Sequence, residues 1–166
     1  MQNTNIDILQ DDMQFILDSL SSQEIQRLSG KNFLITGCAG FLGHHLLHFL
    51  SRFAETLKVG KIVALDNFLI DRPQWLKTLA SRTQQLELGE FDIRTTDLAE
   101  IPGAAEADYI LHMASVASPV YYRQYPIETF EANLLGLRNL LEYYKDRAVS
   151  GILYFSSSEI YGDPPA

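Results

Sequence analysis

Thr36-Gly37-Cys38-Ala39-Gly40-Phe41-Leu42-Gly43 is the stretch whose reading decides the fold. It follows the apolar run Phe33-Leu34-Ile35 and opens a segment, Gly40 to Leu57, that reads as a helix. The glycines fall as G-x-x-G-x-x-G rather than the G-x-G-x-x-G of the standard dinucleotide fingerprint, yet the same physics applies. Gly37 permits a tight turn, Gly40 lets a pyrophosphate approach the backbone, and Gly43 lets helix and strand pack closely. The helix N-terminus offers free amides and a partial positive charge to phosphates. Ala39, Phe41 and Leu42, carried on the same loop, are candidate cofactor contacts with the three glycines.

Glycines alone mark any sharp strand-to-helix turn, so the neighbouring segments carry the argument. Lys61 to Leu65 reads as a second strand and ends at Asp66, close to the ~20-residue offset of a carboxylate that binds adenosine ribose hydroxyls. Such a carboxylate repels a 2′-phosphate, so NAD is favoured over NADP. Pro73 suits the first turn of a helix reaching about Ser81. Further strands are expected at Gln85 to Phe91, Asp108 to His112 and Gly151 to Ser156. A short helix near Thr96 to Glu100 and a long one from about Ile127 to Lys145 lie between them. Strands alternating with helices predict an α/β, Rossmann-like, doubly wound parallel sheet of order 3-2-1-4-5. Ligands of such sheets bind at the strand carboxyl ends, here between strands one and four.

Residues 1–30 are expected to form a short helical extension, and residues 31–166 the dinucleotide-binding domain. Asp7 to Leu20 sets Ile8, Leu9, Phe15, Ile16 and Leu20 among polar residues, an amphipathic pattern. Ser21 and Glu24 have capping-box spacing for a second helix ending near Gly30.

The net charge of −8 argues against non-specific nucleic-acid binding. No apolar run approaches the ~20 residues of a membrane span, and no signal peptide is evident. One cysteine, Cys38, excludes an intrachain disulfide, and a cytoplasmic protein is the simplest reading. His44, His45 and His48 share a helix, but no third-ligand pattern accompanies them and no metal site is expected.

Thr36 to Gly43, Asp66-Asn67-Phe68, His112-Met113-Ala114-Ser115 and Ser156-Ser157-Ser158-Glu159-Ile160-Tyr161-Gly162-Asp163-Pro164 occur in this order. Together they resemble the extended short-chain dehydrogenases/reductases, in particular the NAD-dependent epimerases, dehydratases and decarboxylases of sugar nucleotides, from about Lys31 onward. Within that family Ala114 to Pro119, Tyr122 and Tyr125-Pro126-Ile127 are most similar to the UDP-glucuronate decarboxylases, although Val116 departs from the usual Pro. The resemblance implies NAD held by the glycine loop, Asp66, Asn67, Phe68, Met113, Ala114 and Ser115, with Asp92-Ile93 at the adenine and Asn133 on the site wall. It implies a nucleotide-sugar substrate near Ser118, Pro119 and Tyr122. Ser157 would hold the 4-hydroxyl, Ser158 would touch the substrate, and Glu159 would act near C5. On the long helix Phe130, Leu134, Leu137, Leu141 and Tyr144 form an apolar stripe, with Asn133 at its border.

Oxidation of the sugar C4 hydroxyl to a ketone acidifies C5 or lets a C5 carboxylate leave as carbon dioxide. A residue such as Glu159 can carry protons only within hydrogen-bond reach. Two rival reactions are distinguished here: a 4,6-dehydratase usually has Asp where Ser158 stands, and a 4-epimerase usually lacks the Glu. A non-catalytic NAD-binding or scaffold domain is the alternative outside enzymes. The family's Tyr-x-x-x-Lys pair would follow Glu159 by twenty or more residues. Tyr121, Tyr122, Tyr125, Tyr143 and Tyr144 have no Lys four residues on. An incomplete Rossmann domain without turnover of its own is therefore expected, and the resemblance implies that the parent protein forms a homodimer through the long helix.

Overall fold

The structure is a computed structural model, and it describes residues 8–157 and 161–163. Five parallel strands, β1 (Phe33–Thr36), β2 (Ile62–Asp66), β3 (Leu86–Glu90), β4 (Tyr109–His112) and β5 (Gly151–Tyr154), form one sheet of order β3-β2-β1-β4-β5. This is the doubly wound order that the alternation of segments predicts. Thr36 pairs with Leu65 on one side and His112 on the other, so the carboxyl ends of β1, β2 and β4 lie level.

Side chains alternate across the sheet with the strand period of two. Phe33 and Ile35, with Ile62 and Ala64, join a core beneath α3 (Phe41–Arg52) and α4 (Gln74–Arg82). Leu34, with Val63 and Leu65, joins a second core on the opposite face. Such strands read as continuous apolar runs because both faces are covered.

The first two helices, α1 (Ile8–Ser19) and α2 (Ser22–Leu28), lie on the α3 side. Met13 is buried there, with Leu9, Leu17 and Leu20 packed round the same core, while Ile8, Phe15 and Ile16 face outward. The buried stripe therefore runs through 9, 13, 17 and 20 and shares only Leu9 and Leu20 with the apolar set apparent in the sequence. Ser21 caps α2 as its spacing predicts. Its backbone N–H donates to Glu24 Oε2 at 2.8 Å, and the Glu24 N–H donates back to Ser21 Oγ at 3.3 Å.

Helix α3 is shorter than its apolar pattern, because Phe53, Ala54 and Leu57 stay buried in turns after Arg52. Lys58 then adopts φ +51° and Val59 N–H returns to the Ala54 carbonyl, ending the helix.

After β4 a short helix, α5 (Pro119–Gln124), precedes the long helical run. That run comprises α6 (Pro126–Glu131), a π-helical turn (Ala132–Gly136) and α7 (Leu137–Tyr144). The extra residue of a π-turn rotates the phase by about 100°. The single apolar stripe read from the sequence is accordingly split. Leu140 and Tyr144 are buried, and the Tyr144 hydroxyl donates to the Ala104 carbonyl at 2.7 Å. Phe130, Leu134 and Leu141 face outward, at 61%, 53% and 46% exposure, so this part of the stripe has no core to cover. A Cβ at Gly136 would lie 2.7 Å from Ile93 Cγ2, so the turn passes closely over the end of β3. No helix among the described residues is long and apolar enough to cross a membrane.

Candidate functional site

A cleft of about 470 Å³ opens at the carboxyl ends of β1, β2 and β4. That volume suits a small organic ligand. Gly37, Gly40, Asp66, Ile93, Met113 and Ala132 line it, bringing together segments nearly a hundred residues apart in sequence.

The glycine loop forms one wall, and its three glycines are needed for different reasons. Gly37 has φ +74°, and a Cβ there would sit 2.6 Å from the backbone of Met113 and Ala114. A Cβ on Gly43 would lie 2.2 Å from the Cys38 carbonyl oxygen, so this glycine serves the contact between loop and helix. Gly40 differs, since its Cβ would meet Gly37 O at an ordinary 3.4 Å. The fold does not require glycine there, and the open backbone surface is left facing the cleft. Gly40 is also the N-cap of α3 and gives it no side-chain cap, so the first amides of α3 remain available to an anion. Beneath the loop Cys38 is fully buried, and burial pushes its thiol well above the ordinary range, which rules out an easily formed thiolate.

Asp66, at the end of β2, ties the loop to the sheet. Its Oδ2 accepts from the Ala39 N–H at 2.9 Å and its Oδ1 from the Phe68 N–H at 2.8 Å. The second bond holds Phe68 at φ +54°, an uncommon conformation for an aromatic residue. Burial raises the carboxyl pKa, and the two amide bonds oppose that shift. Each oxygen spends one lone pair on an amide and keeps another, an arrangement suited to two neighbouring hydroxyls.

At the base of the opposite wall, Thr36 Oγ1 and His112 Nδ1 are 2.7 Å apart, and the His112 ring stacks on Tyr154. Burial pushes the His112 imidazole down to about 4. The Ala132 backbone opposes the shift, but Nε2 has no partner at hydrogen-bond geometry among the described residues. Above pH ~6.5 both native and unfolded chains carry a neutral His112. Below it the unfolded state binds a proton that the native state refuses until about pH 4. Lowering the pH from 7 to 5 is therefore expected to cost about 2 kcal/mol through this residue alone. Urea melts of wild type and His112→Gln at both pH values check it, since the variant should lose about that much less. An equal loss in the two proteins would refute the assignment.

Over residues 33–166 the sequence matches the NAD dependent epimerase/dehydratase family. The chain belongs to that family. It is 35% identical to UDP-glucuronic acid decarboxylase 1 of Arabidopsis thaliana over 131 residues, covering 79% of this chain and 27% of that protein. Among solved structures it resembles DesIV, a dTDP-glucose 4,6-dehydratase from Streptomyces venezuelae with NAD and TYD bound. The TM-score is 0.70 at 24% identity, over 81% of this chain and 42% of that one. It also resembles UDP-glucose 4-epimerase from Bifidobacterium longum in complex with NAD+ and UDP, with TM-score 0.62 at 25% identity, over 80% and 38% of the two chains. The chain spans about a quarter to a third of the length of the curated relatives it matches.

As a member of the epimerase/dehydratase family the chain brings most of its sequence-derived candidates to one place. Ala39, Phe41, Leu42, Asn67, Ala114, Ser115 and Ser118 join the lining already named. Gly43 and Phe68 lie behind the cleft, where Gly43 packs the loop and Phe68 takes the Arg72 guanidinium on its ring, 3.9 Å from the centroid. Asn133, in the π-turn, is half-buried, and its neighbour Ala132 lines the cleft instead. Pro119 starts α5 outside the lining, and Tyr121 rather than Tyr122 turns towards the cleft. Asp92 is bound by Arg94 and does not reach the lining, whereas Ile93 and Arg94 do. Ser157 is exposed beyond β5, while Ser158 and Glu159 lie outside the described residues. Arg94, Tyr121 and Glu128 line the cleft without a sequence signal, because a charged or aromatic residue in a loop or short helix reads as solvated surface. The His44 and His48 rings lie 4.4 Å apart and pack on Trp75, away from the cleft.

Proposed function

We propose that the cleft binds NAD and forms the cofactor half of a nucleotide-sugar-modifying enzyme of the UDP-glucuronate decarboxylase type. The observation that carries the reading is the pairing of Asp66, fixed by two amides with a lone pair free on each oxygen, with the uncapped start of α3 in the same cleft. Asp66 would receive the adenosine ribose hydroxyls and the α3 amides the pyrophosphate. Gly37, Ala39 and Gly40 give these groups backbone without side-chain obstruction, and Met113, Ala114 and Ser115 continue the floor. When bound, NAD supplies a hydride acceptor for the sugar C4 and a donor for its return.

The decarboxylase reading rests on the likeness to the Arabidopsis enzyme and on the residues expected to meet the sugar. Ser157 would hold the 4-hydroxyl, Ser158 would touch the substrate and Glu159 would serve near C5, with Ser118 of the cleft lining as a further substrate contact. These 166 residues hold no Tyr-x-x-x-Lys pair, so by themselves they are proposed to bind NAD without turnover. Residues 1–30 would serve as a helical extension and residues 31–166 as the NAD-binding unit.

Calorimetric titration of the chain with NAD and NADP tests the cofactor. NAD is expected to bind at least about tenfold more tightly, since a 2′-phosphate beside Asp66 would cost 1.4 kcal/mol or more. Equal affinities, or no affinity for either, would sink the reading. The outward face of α6 and α7, where Ile127, Phe130, Leu134 and Leu141 are exposed, is proposed to meet a second copy of the chain. A sedimentation series that stays monomeric at high concentration would refute that pairing.

A further inference from the structure

Away from the cleft, helix α3 and the start of α4 bring three imidazoles and an indole together. His44 and His48 are four residues apart on α3, the spacing that puts two side chains on one face of a helix. Their ring centroids lie 4.4 Å apart. Trp75, the second residue of α4, packs on both, with its centroid 4.7 Å from that of His44 and 5.5 Å from that of His48. His48 Nε2 is buried without a hydrogen-bond partner among the described residues. His45 is engaged elsewhere, since its Nδ1 donates to the Phe41 carbonyl at 3.0 Å and its ring packs edge-on against Phe41.

Packing alone does not account for these side chains. A buried ring nitrogen without a partner costs stability, and an aliphatic residue at 48 would meet Trp75 without that cost. Two imidazoles one helical turn apart are instead a pair of donors for one ion, held at about 2.0–2.1 Å from each nitrogen. The donor set selects the ion. Imidazole suits Cu2+, Ni2+ and Zn2+, whereas Mg2+ and Ca2+ prefer oxygen. No third His, Cys, Asp or Glu joins the pair among the described residues, so water would complete the coordination. That describes an exchangeable site rather than a closed structural one. The residues between the pair, His45, Leu46 and Leu47, supply no carboxylate base of the H-E-x-x-H kind, so the site is one for binding rather than hydrolysis.

We infer that His44 and His48 form a two-imidazole binding site for a divalent transition-metal ion, Cu2+ above Ni2+ and Zn2+, where α3 meets α4. This departs from the expectation of no metal site, which rested on the want of a third ligand. It is independent of the NAD reading, because neither imidazole lines the cleft.

Trp75 is the one tryptophan of the chain, so its fluorescence reads the site directly. Cu2+ or Ni2+ added to tag-free protein is expected to quench it saturably, and Mg2+ to leave it unchanged. His44→Gln and His48→Gln should each weaken Ni2+ binding by at least about tenfold, and the double variant by little more, since a single imidazole no longer chelates. His45→Gln should stay within about twofold of wild type, because that ring is tied to Phe41. Zn2+ should raise the urea midpoint of wild type and not that of His44→Gln, as expected of an ion that needs the folded helix. Quenching that never saturates, an equal response to Mg2+, or single variants that bind Ni2+ as wild type does would each overturn the inference. So would a His45→Gln loss as large as theirs, or a wild-type midpoint that Zn2+ leaves in place. Should His48→Gln not fold, His44→Gln decides by the same two readings.

Discussion

Gly37→Ala is expected to destabilise the chain by about 2–5 kcal/mol, a large part of the ~5–15 kcal/mol that holds a domain folded. Two costs add. At φ +74° an alanine is strained, and its Cβ would sit 2.6 Å from the backbone of Met113 and Ala114, which cannot swing away as a side chain would. Gly30→Ala separates the two, since Gly30 has φ +76° with nothing within 4 Å of its would-be Cβ. Urea midpoints should place Gly30→Ala about 1–2 kcal/mol below wild type and Gly37→Ala well below that. Equal losses would mean that β4 does not press on the loop as described. Gly40→Ala completes the series, because its Cβ meets only an ordinary contact at 3.4 Å and stability should fall by no more than the ~1 kcal/mol of a poorer N-cap residue. A loss of NAD affinity in that variant would then come from the ligand's approach to the backbone and not from the fold.

Asp66→Ala is expected to lower NAD affinity by at least about a hundredfold, the largest binding effect foreseen for a single side chain here. The carboxylate has two tasks that this change removes together. It presents acceptors to the ribose, and it fixes the Ala39 and Phe68 amides at 2.9 and 2.8 Å. Losing the second task leaves two partly buried N–H groups to find water, so the variant should also melt earlier, by about 1 kcal/mol for each amide. Asp66→Asn retains one acceptor oxygen and should fall between. Calorimetry with NAD, alongside urea melts, reads both effects. An Asp66→Ala protein that binds NAD within threefold of wild type would remove Asp66 from the site.

Much of this architecture is legible without coordinates, for physical reasons that differ by segment. The strands β1 and β2 lie between two cores, so Phe33–Thr36 and Ile62–Asp66 read as unbroken apolar runs and announce a parallel sheet. The loop is legible because tight turns and close helix packing both demand glycine. Other features leave no trace in a periodic pattern. Met13 is one apolar residue among acidic neighbours, yet it is the one α1 buries. The end of α3 is hidden because Phe53, Ala54 and Leu57 remain apolar after the helix stops. Leu140 is buried and Leu141 exposed, and the π-turn before them shifts the phase of α7 without leaving a mark in composition. Arg94 escapes notice because loop arginines are usually solvated, whereas here Asp92 and Glu131 together hold it at the cleft. Asp92 was legible as a residue of interest but not as a partner of Arg94.

The π-turn between Glu131 and Leu137 carries two opposed surfaces. Ala132 and Gly136 press inward on the cleft and on Ile93, while Phe130 and Leu134 look outward. Substitutions on the outward side can therefore change that surface without moving the wall that faces the cleft. On the proposed reading, a pairing surface and the cofactor wall would be independently editable along one stretch of helix.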